Sequence, residues 1–194
     1  IIILTFNSEK IIKSTVLAAK KISNNIIVLD SYSTDKTIKI LKKLKCKIYK
    51  KQFINYSDQR NYIIKKCNKH YEWQLHLDSD EILSERLINN IKITLMKNDR
   101  NIAYIIKRYI YFLNKKLIFG GSSNWHLRLF PSNTTICEDK KYDQHFISKL
   151  PLKKIKGHLD DKNIKNLTEW ISLHNKWSSL AAKDKTNKNN KLVS

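Results

Sequence analysis

The chain has almost no glycine or proline. Of 194 residues only 3 are Gly and 2 are Pro, which argues against long flexible linkers and low-complexity disorder. Cysteine is sparse too. Cys46, Cys67 and Cys137 are far apart, odd in number and without a C-x-x-C pair. A disulfide framework or zinc site is therefore not expected, and a reducing, cytoplasmic setting is. No apolar run reaches the roughly 18 residues of a membrane-spanning helix, and no signal peptide is expected. The G-x-G-x-x-G fingerprint and the P-loop are both missing. The chain opens on Ile1-Ile2-Ile3-Leu4 without Met, so a short preceding piece and a clipped first strand are expected.

Acidic residues are the minority, 17 Asp+Glu against 38 Lys+Arg, and the net charge is +21. Lys, Ile and Asn are all abundant, as an AT-rich genome would make them, so base composition accounts for part of the excess. The remainder favours an anionic ligand or an anionic membrane face. Hydrophobic residues make up 41% of the chain, enough for the core of one domain. The sequons at Asn55, Asn133 and Asn166 are read as chance matches in an Asn-rich chain.

The first hundred residues alternate strand and helix. Strands are predicted at 1–6, 26–29, 46–49 and 73–77. Helices are predicted at 9–21, capped by Ser8; at 35–44, capped by Thr34; at 58–68, capped by Ser57; and at 84–97, begun by Ser84. This order implies right-handed βαβ units and a mainly parallel, Rossmann-like sheet flanked by helices. After residue 100 a long strand at 103–113 precedes a turn at Asn114-Lys115-Lys116 and short strands at 125–130 and 145–147. Asn166 and Glu169 suit a capping box for a final helix to about Lys183, with Trp170, Leu173, Trp177 and Leu180 as its apolar stripe. The tail at 183–191 is polar and lysine-rich.

Each loop leaving the first strands carries polar residues: Thr5 to Glu9, Asp30 to Thr37, Tyr56 to Asn61, and Asp78-Ser79-Asp80-Glu81. The last is the most informative. Three carboxylates within four residues at a strand end repel one another unless a cation or proton intervenes. That edge is also where open α/β sheets bind ligands. A hard divalent cation holding a phosphate explains the arrangement. Taken alone, the same carboxylates also suit a helix N-terminus.

Together, Thr5-x-Asn7-x-Glu9, Asp30-Ser31-x-Ser33-Thr34-Asp35-x-Thr37, Gln59-Arg60-Asn61 and Leu77-Asp78-Ser79-Asp80-Glu81 resemble a family 2 glycosyltransferase of the GT-A fold. The later motifs are similar to bacterial enzymes that build lipopolysaccharide core or other surface polysaccharides. These are Gly120-Gly121, Trp125 to Phe130, Cys137 to Lys140, Tyr142 to Phe146 and His174 to Trp177. The resemblance implies one GT-A domain over 1–194. Within it, 1–99 forms the nucleotide-sugar half, 100–165 the acceptor and catalytic half, and 166–194 a C-terminal helix and tail.

The resemblance also implies site roles. Asp80 and Asp78 ligate Mn²⁺ or Mg²⁺. Thr5, Asn7, Glu9, Asp30, Ser33, Asp35, Arg60, Asn61, Asp78, Ser79 and Arg128 line the donor, with a UDP-sugar the leading candidate. Gly120, Gly121, Trp125 and His126 lie on the acceptor side. Glu138 or Asp139 supplies the base of an inverting transfer, and His145, His158 and His174 are alternative polar residues. Tyr32 and Lys36 stand where the family often has Gly, so a changed loop is expected. The implied acceptor is a surface glycan or lipid-linked saccharide, at the cytoplasmic side with peripheral contact to an anionic membrane. A sugar-phosphate nucleotidyltransferase and a basic nucleic-acid binder are the competing readings. The first lacks its glycine-rich basic loop. The second lacks a confined basic stripe, so no nucleic acid partner is expected.

Overall fold

Apolar runs and amphipathic stretches alternate along the first half of the chain, and each becomes a strand or a helix. They are β1 (Ile2–Thr5), α1 (Ile12–Lys20), β2 (Ile27–Asp30), α2 (Thr37–Lys43), β3 (Lys47–Lys50), α3 (Tyr56–Asn68) and β4 (Trp73–Asp78). There follow β5 (Glu81–Leu83), α4 (Glu85–Lys97), β6 (Ala103–Phe112), β7 (Lys115–Lys116), β8 (Ser123–Pro131), β9 (Thr135–Cys137), β10 (Phe146–Ser148) and β11 (Leu152–Ile164). The structure is a computed structural model. It describes residues 1–113, 115–119, 123–140, 144–164, 167–168, 170–172, 174–175, 178–179 and 182.

Strands β3, β2, β1 and β4 lie side by side and parallel. Their register sets Thr5 opposite Asp30 and Leu4 opposite Asp78. The polar strand ends therefore come to one edge. The crossover helices bury both faces of these strands, as a parallel sheet requires. Ile3, Val28 and Leu77 pack with Val16 of α1, Leu41 of α2 and Leu87 and Ile91 of α4. On the opposite face Ile2, Leu4, Ile27 and Leu29 pack with Ile63 and Cys67 of α3.

Beyond β4 the sheet changes character. β8 runs antiparallel between β4 and β6, β6 pairs in parallel with β11, and β11 pairs antiparallel with β5. Yet β5 follows β4 in the chain after only Ser79 and Asp80. The path leaving β4 through β8, β6 and β11 thus returns to the residue pair where it began, and the sheet curls around that corner. A separate antiparallel pair, β9 and β10, packs beside it. The expected architecture holds, with more antiparallel pairing than the sequence pattern implied. Among the described residues no helix is long and apolar enough to cross a membrane.

β11 breaks register between Lys154 and His158. Gly157 sits there at φ 113°, and a Cβ would fall 2.5 Å from the Leu87 backbone. Only glycine admits this approach of strand to helix. The Ser84 N–H donates to the His158 carbonyl and the His158 N–H to Ser84 Oγ, both at 3.1 Å. The same hydroxyl accepts the Leu87 N–H at 3.3 Å, the cap read from sequence. Ser84→Ala is expected to remove about 1–2 kcal/mol of stability in urea unfolding. A loss below a few tenths would show that this corner is not tied by the hydroxyl.

The other caps differ from expectation. Asn55, not Ser57, caps α3 by accepting the Asp58 N–H at 2.8 Å. Neither α1 nor α2 has a side-chain cap. Ser8 and Thr34 instead bond across loops, as described below. In the C-terminal stretch Trp170 meets Phe112 with ring centroids 5.9 Å apart. Asn166, Glu169, Leu173, Trp177, Leu180 and the tail lie outside the described residues.

Candidate active site

The loops after β1 and β2 are knitted together by the residues that the resemblance assigns to the donor. Asn7 takes φ 46°. Its N–H donates to Ser33 Oγ (2.9 Å), and its side-chain oxygen accepts the Thr34 N–H (2.8 Å). Glu9 accepts the Lys36 N–H (2.9 Å), and Asp35 accepts the Glu9 N–H (3.0 Å). Asp30 is fully buried, with both oxygens engaged by Ser33: the N–H at 2.9 Å and the hydroxyl at 2.5 Å. It closes an Asx-type turn, so its carboxylate supports the pocket wall. Thr5 is buried, and its hydroxyl has no partner among the described residues. Tyr32 adopts φ 64° itself, a left-handed conformation that costs a non-glycine residue about 1–2 kcal/mol.

Ser79 ties these loops to the end of β4. Its hydroxyl meets Ser8 Oγ at 2.8 Å, and its carbonyl accepts the Thr15 hydroxyl at 2.7 Å. On either side of it lies a dense charge cluster. Arg60 Nη2 donates to Asp78 Oδ1 at 2.5 Å, and Arg128 Nη2 donates to Asp78 Oδ2 at 3.1 Å and Glu81 Oε1 at 2.5 Å. Arg108 lies 4.0 Å from Glu81 and 3.5 Å from Asp161. The curl explains the meeting. Arg128 comes from β8, Arg108 from β6, Asp161 from β11 and Glu81 from β5, all wrapped around the corner at Ser79 and Asp80.

The two carboxylates that share Arg128 titrate in opposite directions. Burial opposes the charge of Asp78, but Arg60 and Arg128 outweigh it and hold the carboxyl well below its usual range. Burial lifts Glu81 to about 7 against the pull of Arg128, with Asp78 and Asp161 adding to the lift. Asp80 stands apart. Burial raises it, and then the negative charges of Asp161, Asp78 and Glu81 raise it further. Asp78, Glu81 and Asp161 each lie within 4.0 Å of a guanidinium, whereas no ion pair to Asp80 is present among the described residues.

Arg60 is thus neither a surface ion pair nor a free donor ligand. It is 6% exposed, held by Asp78, and its guanidinium lies 5.0 Å from the Phe146 ring centroid. Nor is Arg128 on the wet side of an edge strand; β8 is interior, and the side chain faces carboxylates. Asn61 points to backbone: its amide donates to the Cys137 carbonyl and its oxygen accepts the Cys137 N–H, both at 2.8 Å. That clamp fixes the β9–β10 hairpin against α3, next to Arg60. Directly after Cys137, where the hairpin's turn begins, Glu138 accepts the His145 N–H at 2.9 Å and pairs with Lys140 at 2.7 Å. Those contacts outweigh its burial and lower its pKa. Asp139 is exposed and shows no such bond among the described residues.

His126 stacks on His145 with centroids 6.2 Å apart, and burial, then Arg128, Arg108 and His145, push it down to about 3. It is a neutral ring at the cluster's edge. Trp125 lies under the Lys154 ammonium at 4.9 Å. His158 contacts Asp160 at 3.3 Å, and His174 meets the Trp170 carbonyl at 2.9 Å. These last three serve local packing. Gly120 and Gly121 lie outside the described residues.

A profile of "Glycosyl transferase family 2" matches residues 1–152. The chain belongs to glycosyl transferase family 2. An uncharacterized glycosyltransferase of Rickettsia typhi is 34% identical over 112 residues, covering 57% of this chain and 38% of that protein. The SPbeta prophage-derived glycosyltransferase SunS of Bacillus subtilis is 34% identical over 115 residues, covering 56% of this chain and 26% of its own. The chain therefore spans well under half the length of these relatives. The TarS fragment 1–349 of S. aureus superposes with a TM-score of 0.57 at 14% identity, over 83% of this chain and 59% of that one. That likeness establishes the GT-A fold.

Three members of this family 2 chain's charge cluster went unread in sequence. Arg108 sits in an Ile- and Tyr-rich strand, and Asp161 in a lysine-rich one. Tyr56 was passed over although burial, then Asp78 and Asp80, raise its hydroxyl pKa. A signal existed for the first. Lysine is the default cation here, and three of only five arginines, Arg60, Arg108 and Arg128, converge on the carboxylates.

Proposed function

We propose that this chain transfers a sugar from a nucleotide-diphosphate donor to a saccharide or lipid-linked acceptor, with inversion and with Mn²⁺ or Mg²⁺. One observation carries the reading. Of Asp78, Asp80, Glu81 and Asp161, Asp80 alone has no guanidinium partner among the described residues, and its surroundings make its charge costly until a cation arrives. No three His, Cys, Asp or Glu side chains among the described residues form a metal cage. This suits Mg²⁺ or Mn²⁺ held by one or two carboxylates plus the donor's phosphate oxygens. Asp78, already shared by two arginines, orients the corner and is a poorer ligand than the D-x-D pattern implied. When bound, the cation neutralises charge on the departing nucleoside diphosphate.

The chain's own residues supply the rest. Thr5 and the knitted loops of Asn7, Glu9, Asp30, Ser33 and Asp35 form the wall against the base and ribose. Residues 1–99 hold the donor and 100–165 present the acceptor, with Arg128 and Arg108 bridging the halves. Asp139 takes the proton of the attacking hydroxyl. Glu138 is occupied in locking its hairpin. A surface-glycan acceptor at the inner face of a membrane accords with the +21 charge.

Calorimetric titration of UDP and GDP, each with Mn²⁺, tests the reading. Metal-dependent binding is expected, and Asp80→Ala is expected to abolish the metal dependence while the thermal midpoint stays level or rises, because a strained carboxylate is gone. Metal-independent binding, or an Asp80→Ala protein that binds as before, rejects the assignment.

A further inference from the structure

The loops on either side of the carboxylate corner form the two lips of the proposed donor cleft, and both carry exposed apolar side chains. On the donor side Phe6 follows β1, Tyr32 follows β2, and Phe53 and Ile54 follow β3. On the other side Leu113 and Ile118 flank β7, where the chain leaves β6 beyond the level of Glu81 and Asp161. All six are between 44 and 70% exposed. The donor-side residues form one surface. Asn7 bonds the first two loops together, and the Lys50 ammonium lies 5.8 Å from the Tyr32 ring centroid. Large apolar groups gathered around one opening mark an interaction surface, unlike isolated exposed side chains.

Charge narrows the occupant. Lys10, Lys36 and Lys50 are exposed around the donor-side lip. The acids beside them are turned inward: Glu9 and Asp35 accept backbone N–H groups, and Asp58 pairs with Lys51 at 2.5 Å. Aromatic rings, aliphatic tips and lysines together are the composition of a membrane–water interface. A protein seated on both lips would close the cleft. A bilayer touching both lips would instead present a lipid-linked substrate to it.

We infer that the cleft rim docks on an anionic bilayer, with Phe6, Tyr32, Phe53, Ile54, Leu113 and Ile118 entering the headgroup region and the lysines meeting lipid phosphates. The inference rests on the proposed lipid-linked acceptor for its purpose. Its test contains no nucleotide and does not depend on donor binding.

The experiment is co-sedimentation with vesicles of phosphatidylcholine alone or mixed with phosphatidylglycerol. Retention on the mixed vesicles only, weakened by salt, is expected. A Phe53→Ser/Ile54→Ser protein should bind about tenfold more weakly, and Ile118→Ser on the opposite lip should also weaken it. Met96→Ser is the control, because Met96 is 85% exposed on α4 away from both lips. Thermal midpoints verify that each variant is folded. No retention on mixed vesicles overturns the inference. So does retention that both lip variants leave intact, or a loss that Met96→Ser reproduces.

Discussion

Arg128→Met is expected to cost about 3–5 kcal/mol of folding stability, the range for stripping one partner from a buried ion pair. Arg128 is 5% exposed and Glu81 1%, so water cannot replace the lost guanidinium. Asp78 would keep Arg60, but Glu81 would retain Arg108 at 4.0 Å as its one cationic contact among the described residues, beside the Asp78 N–H at 3.0 Å. Against the 5–15 kcal/mol that holds a typical domain together, this is a large fraction. Removing both charges tells a buried pair from ordinary packing. Arg128→Met/Glu81→Gln should recover much of the loss, because no buried charge is then left alone. Arg128→Lys should recover little, since one ammonium cannot span Asp78 and Glu81 as the guanidinium does. Urea unfolding reads all three. A single-variant cost under 1 kcal/mol would mean that the cluster is hydrated, and that its arginines do not hold the corner.

Asp139→Asn is expected to lower kcat by about 10²–10⁴, the usual contribution of a positioned general base. Donor affinity and the thermal midpoint should stay unchanged, because the carboxylate is exposed and outside the hairpin's bonds. Glu138→Gln should behave differently. It weakens the Lys140 pair and the bond from the His145 N–H, so it should lower the midpoint first and activity through it. The comparison uses nucleoside diphosphate release, with KM and kcat resolved separately. If Glu138→Gln abolished kcat at an unchanged midpoint while Asp139→Asn stayed near wild type, the roles would be exchanged.

Much of this architecture is legible without coordinates, for a physical reason. β1 and β2 are buried along their whole lengths, and the helix between them carries a clear apolar face, so local pattern and tertiary environment agree. The polar loops at the strand ends follow from parallel register alone. Legibility fails where pairing partners are distant in sequence. β11 escapes notice because, among its described side chains, Ile155 and Leu159 are the buried hydrophobic ones, set among Lys153, Lys154, Lys156 and Lys162. Arg60 and Arg128 are conspicuous as types, but their partners are set by the curl. Side chains assigned to ligand, among them Asp30 and Asn61, prove to satisfy their own backbone surroundings, because a buried polar group needs a partner whether or not substrate is bound.

The closing of the curl also sets an order of assembly. The knitted loops depend on β1, β2 and β4, all of which precede β5 in the chain, and N-terminal units generally fold first. The corner itself is finished only when β11 zips onto β5 and brings Asp161 against Asp80. Such high contact order is slow to form. A chain in which β11 has not yet paired would therefore hold the knitted loops before it held the crowded negative charge around Asp80. Completion of the corner is timed by β11, and a species without that pairing is spared the mutual repulsion of its carboxylates.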